Sequence, residues 1–128
     1  MILLDTHAMV WLASDPKRLS PAARQAVSAH AAMLHVSAVS AWEISLLVRN
    51  GRLTLPMSPE DFVKAAIQRL ALTELPVTRE SAQASVALPA IHNDPFDRVL
   101  IAECGRRRLS LISADRVIAQ YPGLRVIW

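Results

Sequence analysis

The sequence of 128 residues contains only three glycines, one cysteine and two lysines. With so few glycines, neither a GxxxxGK[ST] phosphate-binding loop nor a GxGxxG dinucleotide-binding turn occurs anywhere in the chain. The single cysteine, Cys104, excludes a disulfide framework and a zinc site built from thiolates, and it favours a reducing, cytoplasmic setting. These absences exclude several common classes of nucleotide-binding and secreted protein.

Motifs of other function classes are also missing. No GxSxG elbow supports serine hydrolase chemistry, and His30 and His35 do not have the spacing of an HExxH zinc site. A receiver domain needs an acidic pair after its first strand, whereas Asp5 stands alone. The chain begins without the basic region of a signal peptide, and its longest uncharged stretch is too polar to cross a membrane. We therefore expect a cytoplasmic protein with no membrane association.

The composition favours one folded domain with a mixed α/β architecture. Apolar residues make up 52% of the chain and charged residues 20%, which is typical of a folded core rather than of disorder. The length suits a single domain over residues 1–128. Short apolar segments predict strands at 1–4, 33–37, 72–77, 109–113 and 124–128, with helical patterns between them. This alternation predicts three α/β/α layers around a mainly parallel sheet of about five strands.

Four acidic residues follow predicted strands or begin predicted helices: Asp5, Glu43, Asp97 and Asp115. In parallel sheets, ligands bind beyond the carboxyl ends of the strands, near the point where the strand order reverses. Carboxylates that meet in one pocket repel one another unless a cation compensates them. Mg²⁺ and Mn²⁺ prefer such oxygen ligands, and they can activate water for phosphodiester hydrolysis.

Each acid also has an ordinary structural explanation. The segment from Ser40 to Glu43 fits a capping box, and Asp94 fits the N-cap of a helix that has proline at its first position and Asp97 in its first turn. Asp5 and Asp115 could simply cap the helical segments that follow them. The spacing alone leaves a shared carboxylate site and a set of separate caps equally open.

The sequence around these acids resembles a known family. The segments DTHA (5–8), SAVSAWEI (37–44), HNDPFDR (92–98), SAD (113–115) and VIW (126–128) occur in this order. Together they resemble PIN-domain proteins, specifically the toxins of VapBC-type toxin–antitoxin pairs, over essentially the whole chain. The HxDPFDR and SxWEI segments are specific, whereas a DT or SAD segment on its own is not.

The resemblance implies a metal-dependent endoribonuclease. Asp5, Glu43, Asp97 and Asp115 match the family's acidic residues, which bind one or two Mg²⁺ or Mn²⁺ ions that activate a water to attack RNA. The implied partners are RNA, a VapB-type antitoxin that inserts a basic side chain among the carboxylates, and a second copy of the chain in a homodimer. The alternative is a catalytically silent PIN domain that binds RNA or protein.

Five further residues are secondary candidates. Ser113 stands where the family often has threonine and keeps a hydroxyl near the metal, and Thr6 follows the first acid. Asp94 matches the motif, although its N-cap role explains it equally well. Arg98 is expected to contact phosphate, to pair with a site carboxylate, or to have a plain surface role. For His92, a loop position without a site role is favoured over contact with substrate or with the metal ligands.

The remaining charged and apolar features suit a polyanionic substrate and a protein partner. Without the four acids, seven acidic residues remain against 14 basic ones. The run Arg106–Arg108 fits either a solvated helix end or contact with phosphates. One Tyr and two Phe offer few platforms for base stacking, so we expect recognition mainly through the RNA backbone. The apolar face of a predicted helix that includes Phe62 is expected to belong to the core. Part of this face, or Leu46 with Leu47, is expected to accept an antitoxin segment.

Overall fold

The computed structural model describes all 128 residues. The strands are β1 (Ile2–Leu4), β2 (Leu34–Ser37), β3 (Thr73–Leu75), β4 (Ser110–Ile112) and β5 (Val126–Ile127). The helices are α1 (Thr6–Ser14), α2 (Pro21–Ala29), α3 (Ala38–Arg49), α4 (Pro59–Arg69), α5 (Arg79–Ala87) and α6 (Pro95–Arg107), with short 3₁₀ helices at Pro16–Arg18, Ala31–Met33 and Ile118–Gln120. All five strands are parallel and form one sheet in the order β3-β2-β1-β4-β5.

The sheet separates two apolar cores, because successive side chains of a strand point to opposite faces. Ile2 and Leu4 of β1 pack in the core that also contains Met9 of α1 and Phe62 of α4. Leu3 packs on the other face, in the core formed with α6. All three residues of β1 are buried, which explains why the strand is uninterrupted apolar sequence. The predicted three-layer α/β/α fold is therefore confirmed.

The strand order reverses beside β1. From β1 the chain passes to β2 and β3 on one side, and it then crosses to β4 and β5 on the other. Leu4 at the end of β1 pairs with Ile112 at the end of β4, so the residues that follow these two strands are neighbours. The backbone N–H of Asp5 donates to the carbonyl of Ile112 at 3.1 Å. This junction is the expected binding position in a parallel sheet.

Helix α3 begins earlier than the sequence predicts. The predicted capping box from Ser40 to Glu43 is wrong, because β2 runs directly into α3 without a loop. Ser37 is the N-cap, and its hydroxyl accepts a backbone N–H of the first turn at 3.2 Å. Ser40 is fully buried inside the helix and accepts a hydrogen bond from the Thr6 hydroxyl at 3.1 Å. Glu43 is therefore not committed to a cap.

Other elements are close to their predicted positions but shorter. Strand β3 stops before Pro76, which has no N–H to donate to a neighbouring strand. The helical turn predicted after Asp115 is a 3₁₀ helix at Ile118–Gln120. The apolar face of α4 belongs to the core, where Phe62 is buried, whereas Leu46 and Leu47 are partly exposed. None of the helices combines the length and the apolar character needed to cross a bilayer.

Candidate functional site

A cleft of about 440 Å³ opens beyond the carboxyl ends of β1 and β4. Its lining residues come from both halves of the sheet and from the starts of α1, α3 and α6. They are Asp5, His7, Trp11, Glu43, His92, Asp94, Asp97, Ala114 and Asp115. The four acids singled out from the sequence therefore line one cleft, although 110 positions separate the first from the last.

Backbone donors at the ends of secondary-structure elements fix several of these acids. The N–H of Ala8 donates to Asp5 at 2.7 Å, and Asp5 is the N-cap of α1. Asp115 accepts the N–H of Val117 at 2.8 Å, and Asp97 lies in the first turn of α6. Asp5 is thus both a helix cap and a member of the shared site, two roles that the sequence left as alternatives. These backbone hydrogen bonds hold the carboxylates of Asp5 and Asp115 at the cleft.

Glu43 is the acid with the least complete set of hydrogen-bond partners. Its side chain is buried within α3, and its Oε1 atom has no partner. A buried carboxylate oxygen without a donor is costly, because the charge has lost water and gained nothing in exchange. A divalent cation in the cleft would remove that cost. The residues present therefore fit a metal ion.

Crowding and burial disfavour the charged forms of three of the four acids. Burial, together with the charges of Asp94 and Glu43, raises the pKa of Asp97 from 3.8 to about 7. Burial also raises the pKa values of Asp5 and Glu43, although hydrogen bonds from neighbouring groups oppose the shift. A cation would reverse this balance by favouring the ionised carboxylates.

Asp115 differs from the other acids because His92 contacts it. Nε2 of His92 lies 2.8 Å from Oδ2 of Asp115 and 3.2 Å from Oδ2 of Asp97. Burial alone would raise the pKa of Asp115, but the hydrogen bonds from His92 and from the backbone N–H of Val117 outweigh burial and lower it. The interpretation of His92 as a loop histidine without a site role is therefore wrong.

The hydrogen-bond pattern of His92 also indicates how it acts. Its Nδ1 accepts the backbone N–H of Asp94 at 3.0 Å, so the proton of the neutral ring is on Nε2. Ligand atoms of His92, Asp97 and Asp115 lie within 4.8 Å of one another, which is close enough for a shared ion. With its proton on Nε2, however, His92 donates to Asp115 and orients it instead of offering a lone pair. The oxygen atoms of the acids are left as the ligands, the set that a hard cation prefers.

The structure contradicts two of the roles expected for Arg98 from the sequence. It pairs with no site carboxylate, and it is not a plain surface residue. Its guanidinium donates to the carbonyls of Val86, Leu88, Pro89 and His92 at 2.9–3.3 Å and to the hydroxyl of Tyr121 at 3.2 Å. These acceptors lie between the end of α5 and the loop before α6, or on Tyr121, so Arg98 holds the loop that carries His92.

Tyr121 completes this support, a role that no pattern in the sequence indicates. Its hydroxyl donates to the carbonyl of Pro89 at 3.1 Å and accepts the backbone N–H of His92 at 2.9 Å. The residue is buried beside the second core. Together, Arg98 and Tyr121 fix the backbone of His92 from two sides.

We expect Arg98→Lys to lower the free energy of unfolding by about 2–4 kcal/mol. An ammonium cannot reproduce the planar fork of donors, so several carbonyls lose a charge-assisted partner. The midpoint of urea unfolding measures the change. Arg106→Lys, at an exposed position of the same helix, is the control and should stay within about 0.5 kcal/mol of the parent. Equal midpoints for the two variants would contradict the role assigned to Arg98.

The other secondary candidates lie at or beside the cleft. The Ser113 hydroxyl accepts the N–H of Asp115 at 3.1 Å and hydrogen-bonds with the Asp5 carboxylate. The Thr6 hydroxyl lies beside the Glu43 carboxylate. Asp94 lines the cleft and also caps α6, accepting a backbone N–H at 2.8 Å. These side chains join the acids to one another and to the surrounding backbone.

The basic run Arg106–Arg108 lies away from the cleft. All three residues are exposed at the end of α6, about 15 Å along the helix axis from Asp97. Arg107 donates to the buried carboxylate of Glu103 at 2.7 Å. The run is thus a solvated helix end, where positive charge is favourable, and it does not border the acids.

Comparisons with known proteins agree with this arrangement. A family model described as PIN domain matches residues 2–124. Ribonuclease VapC22 from Mycobacterium tuberculosis strain H37Rv is 33% identical over 132 residues, which covers 99% of this chain and 98% of that protein. The match therefore extends over nearly the full length of both chains.

Solved structures with a similar fold come from toxin–antitoxin complexes. VapBC2 from Rickettsia felis, bound to a DNA fragment from its promoter, has a TM-score of 0.73 at 12% identity, covering 98% of this chain and 97% of that one. DNA-bound VapBC from Salmonella typhimurium has a TM-score of 0.70 at 16% identity, covering 98% and 95%. A toxin–antitoxin complex from Klebsiella pneumoniae has a TM-score of 0.69 at 21% identity, covering 97% and 95%.

Proposed function

Because the chain belongs to the PIN-domain family, we propose that it is a metal-dependent endoribonuclease and the toxin of a type II toxin–antitoxin pair. The observation that carries the proposal is the gathering of four carboxylates in one cleft, with an oxygen of buried Glu43 left without a partner. Residues 1–128 would form a single PIN domain, which the one continuous sheet supports.

Asp5, Glu43, Asp97 and Asp115 would hold one or two Mg²⁺ or Mn²⁺ ions. Bound there, such an ion lowers the pKa of a coordinated water and stabilises the negative charge that develops during phosphodiester hydrolysis. The chain itself keeps the acids in place for this role. The N-terminus of α1 fixes Asp5, and His92 and the backbone N–H of Val117 fix Asp115.

The protein partner in this proposal is a VapB-type antitoxin. Similarity to VapBC complexes over nearly the full chain supports such a partner. A homodimer of the toxin, which the family resemblance implies, is a further part of the proposal. A basic antitoxin side chain placed among the carboxylates would satisfy the same unpaired oxygen that favours a cation. Metal binding and inhibition would then compete for one set of ligands.

Metal removal tests the proposed reaction. We expect the purified chain to cleave RNA in Mg²⁺ or Mn²⁺, to stop when EDTA removes the metal, and to recover when Mn²⁺ is added in excess. Glu43→Gln should reduce the rate strongly, whereas Glu60→Gln, an exposed acid at the start of α4, should not. A silent PIN domain would cut in none of these conditions and would show weak or no metal binding by calorimetry.

A further inference from the structure

One tryptophan, Trp11, lines the cleft, and a second, Trp128, packs against it. The Trp11 ring lies 5.8 Å from the Trp128 ring and 5.8 Å from the His7 ring, both tilted by 50°. The guanidinium of Arg18 stacks 4.7 Å from the centre of the Trp11 ring. These four residues form what we call the aromatic wall.

The aromatic wall adjoins the carboxylates directly. Trp11 and His7 line the same cleft as the four acids, and His7 is close enough for its charge to lower the pKa values of both Asp5 and Glu43. The position follows from the fold. His7 and Trp11 lie on α1, immediately after β1, and Trp128 follows β5, so all three rings are at the carboxyl edge of the sheet.

Much of the aromatic wall is open to solvent. Trp128 is 41% exposed, and His7 and Arg18 are exposed, while Trp11 packs partly against the core and supports the other rings. Three aromatic rings are grouped here, and two of them, His7 and Trp128, are exposed. Such a group offers a flat surface on which a planar ligand can stack.

The chemistry of the cleft and of the wall selects the kind of ligand. The carboxylates repel phosphates, so a nucleic acid needs favourable contacts beside the metal site that do not depend on phosphate alone. Aromatic rings stack on any nucleobase, and Arg18 is the cation beside those rings that can pair with the adjoining phosphate. An aromatic stacking surface with a guanidinium beside it matches one nucleotide.

We propose that the aromatic wall stacks a base of single-stranded RNA beside the scissile phosphate, with Trp128 and His7 as the exposed contacts and Trp11 as their support. This inference rests on the proposed ribonuclease function and adds to it the position of a substrate base. The sequence predicts recognition mainly through the RNA backbone, and the proposal adds to it a contact that depends on the presence of a base.

Paired binding measurements test the proposal. The probes are a labelled 12-nucleotide RNA of mixed sequence and a strand of equal length and charge made of abasic ribose phosphates, with Asp97→Asn in every protein to prevent cleavage. We expect Trp128→Leu to weaken binding of the RNA about fivefold to 150-fold, the range for the loss of one stacked base. Binding of the abasic strand should change less than about twofold.

Matched variants make the result specific. Trp42 is 62% exposed and precedes Glu43, but its ring packs against Phe96 and not against Trp11, so Trp42→Leu should leave RNA binding unchanged. Trp128→Phe should restore most of the affinity lost in Trp128→Leu. His7→Leu tests the wall at a second exposed position, and Trp11→Phe tests its support with less risk to the core.

Each failure has its own signature. Equal loss of affinity for both probes, or no loss for either, would contradict base stacking on the aromatic wall. The proposed ribonuclease function would not be affected by that result. The same holds if Trp128→Leu weakens only the antitoxin complex, because the wall would then contact protein. Absence of metal-dependent RNA cleavage by the unmodified chain would instead overturn the proposed function, whatever the variants bind.

Discussion

Replacing Asp97 by asparagine is expected to reduce metal-dependent RNA cleavage about 10³-fold or more and, at the same time, to stabilise the metal-free protein. The rate falls because a proposed ligand is lost from an ion that supplies several kcal/mol of transition-state stabilisation. Stability rises because the amide removes one of several buried like charges, and the raised pKa of Asp97 shows that its ionised form is unfavourable. Opposite changes in activity and stability are typical of functional sites.

Asp61→Asn is a closely matched control for this substitution. Asp61 and Asp97 both occupy the third position of a helix that has proline at its first position. Asp61, however, is exposed and does not line the cleft. Both substitutions remove a charge that favours a helix N-terminus, so that contribution cancels. RNA cleavage assays and thermal melting in EDTA measure the two effects. Parallel behaviour of the two variants would contradict a special role for Asp97.

The second large effect is a fall in the stability of the metal-free protein as the pH rises from about 4 to 7. The pKa of Asp97 is 3.8 in its ordinary state and about 7 in the folded protein. Between these values the folded protein holds a proton that the unfolded chain has released, so each rise in pH favours unfolding. Above pH 7 the penalty is complete. It is at most about 4 kcal/mol, and less once solvent screening is counted.

Comparison with Asp97→Asn isolates this contribution, because other groups also titrate. Asp115, for example, has a lowered pKa, so its contribution to stability is lost only as the pH falls through the acid range. In EDTA, the difference in stability between Asp97→Asn and the parent should grow between about pH 4 and 7 in favour of the variant. Above about pH 7 the difference should stay constant. Binding of Mn²⁺ to the parent should become tighter as the pH rises through the same interval, because the ion must replace the proton on Asp97. A difference in stability that does not change with pH would exclude the raised pKa of Asp97.

The parts of the site that lie at strand ends were predictable from the sequence. Asp5 and Asp115 follow short apolar runs, and a parallel sheet brings such positions to one edge. Glu43 and Asp97 lie at or near the predicted starts of helices, and the motifs around them strengthen the prediction. Backbone topology and local spacing were sufficient here, since each acid is placed by the element in which it lies.

Contacts between side chains distant in sequence were not predictable in the same way. Nothing near His92 in the chain indicates that it reaches Asp115, 23 positions later, and the Tyr121 hydroxyl contacts a loop about 30 positions earlier. The start of α3 was missed for a different reason. Ser37 and Ser40 are both good N-caps, and only the direct joining of β2 to the helix selects the first.

The position of β1 in the middle of the sheet also has a consequence while the protein is being made. Strand β1 is synthesised first, but its pairing with β4 must wait until 108 further positions have been added, since Ile2 pairs with Ser110. Asp115 and the loop of His92 reach Asp5 only after that pairing. Until Asp115 has been added, a nascent chain therefore has no complete acid cluster and cannot cut RNA beside the ribosome that produces it.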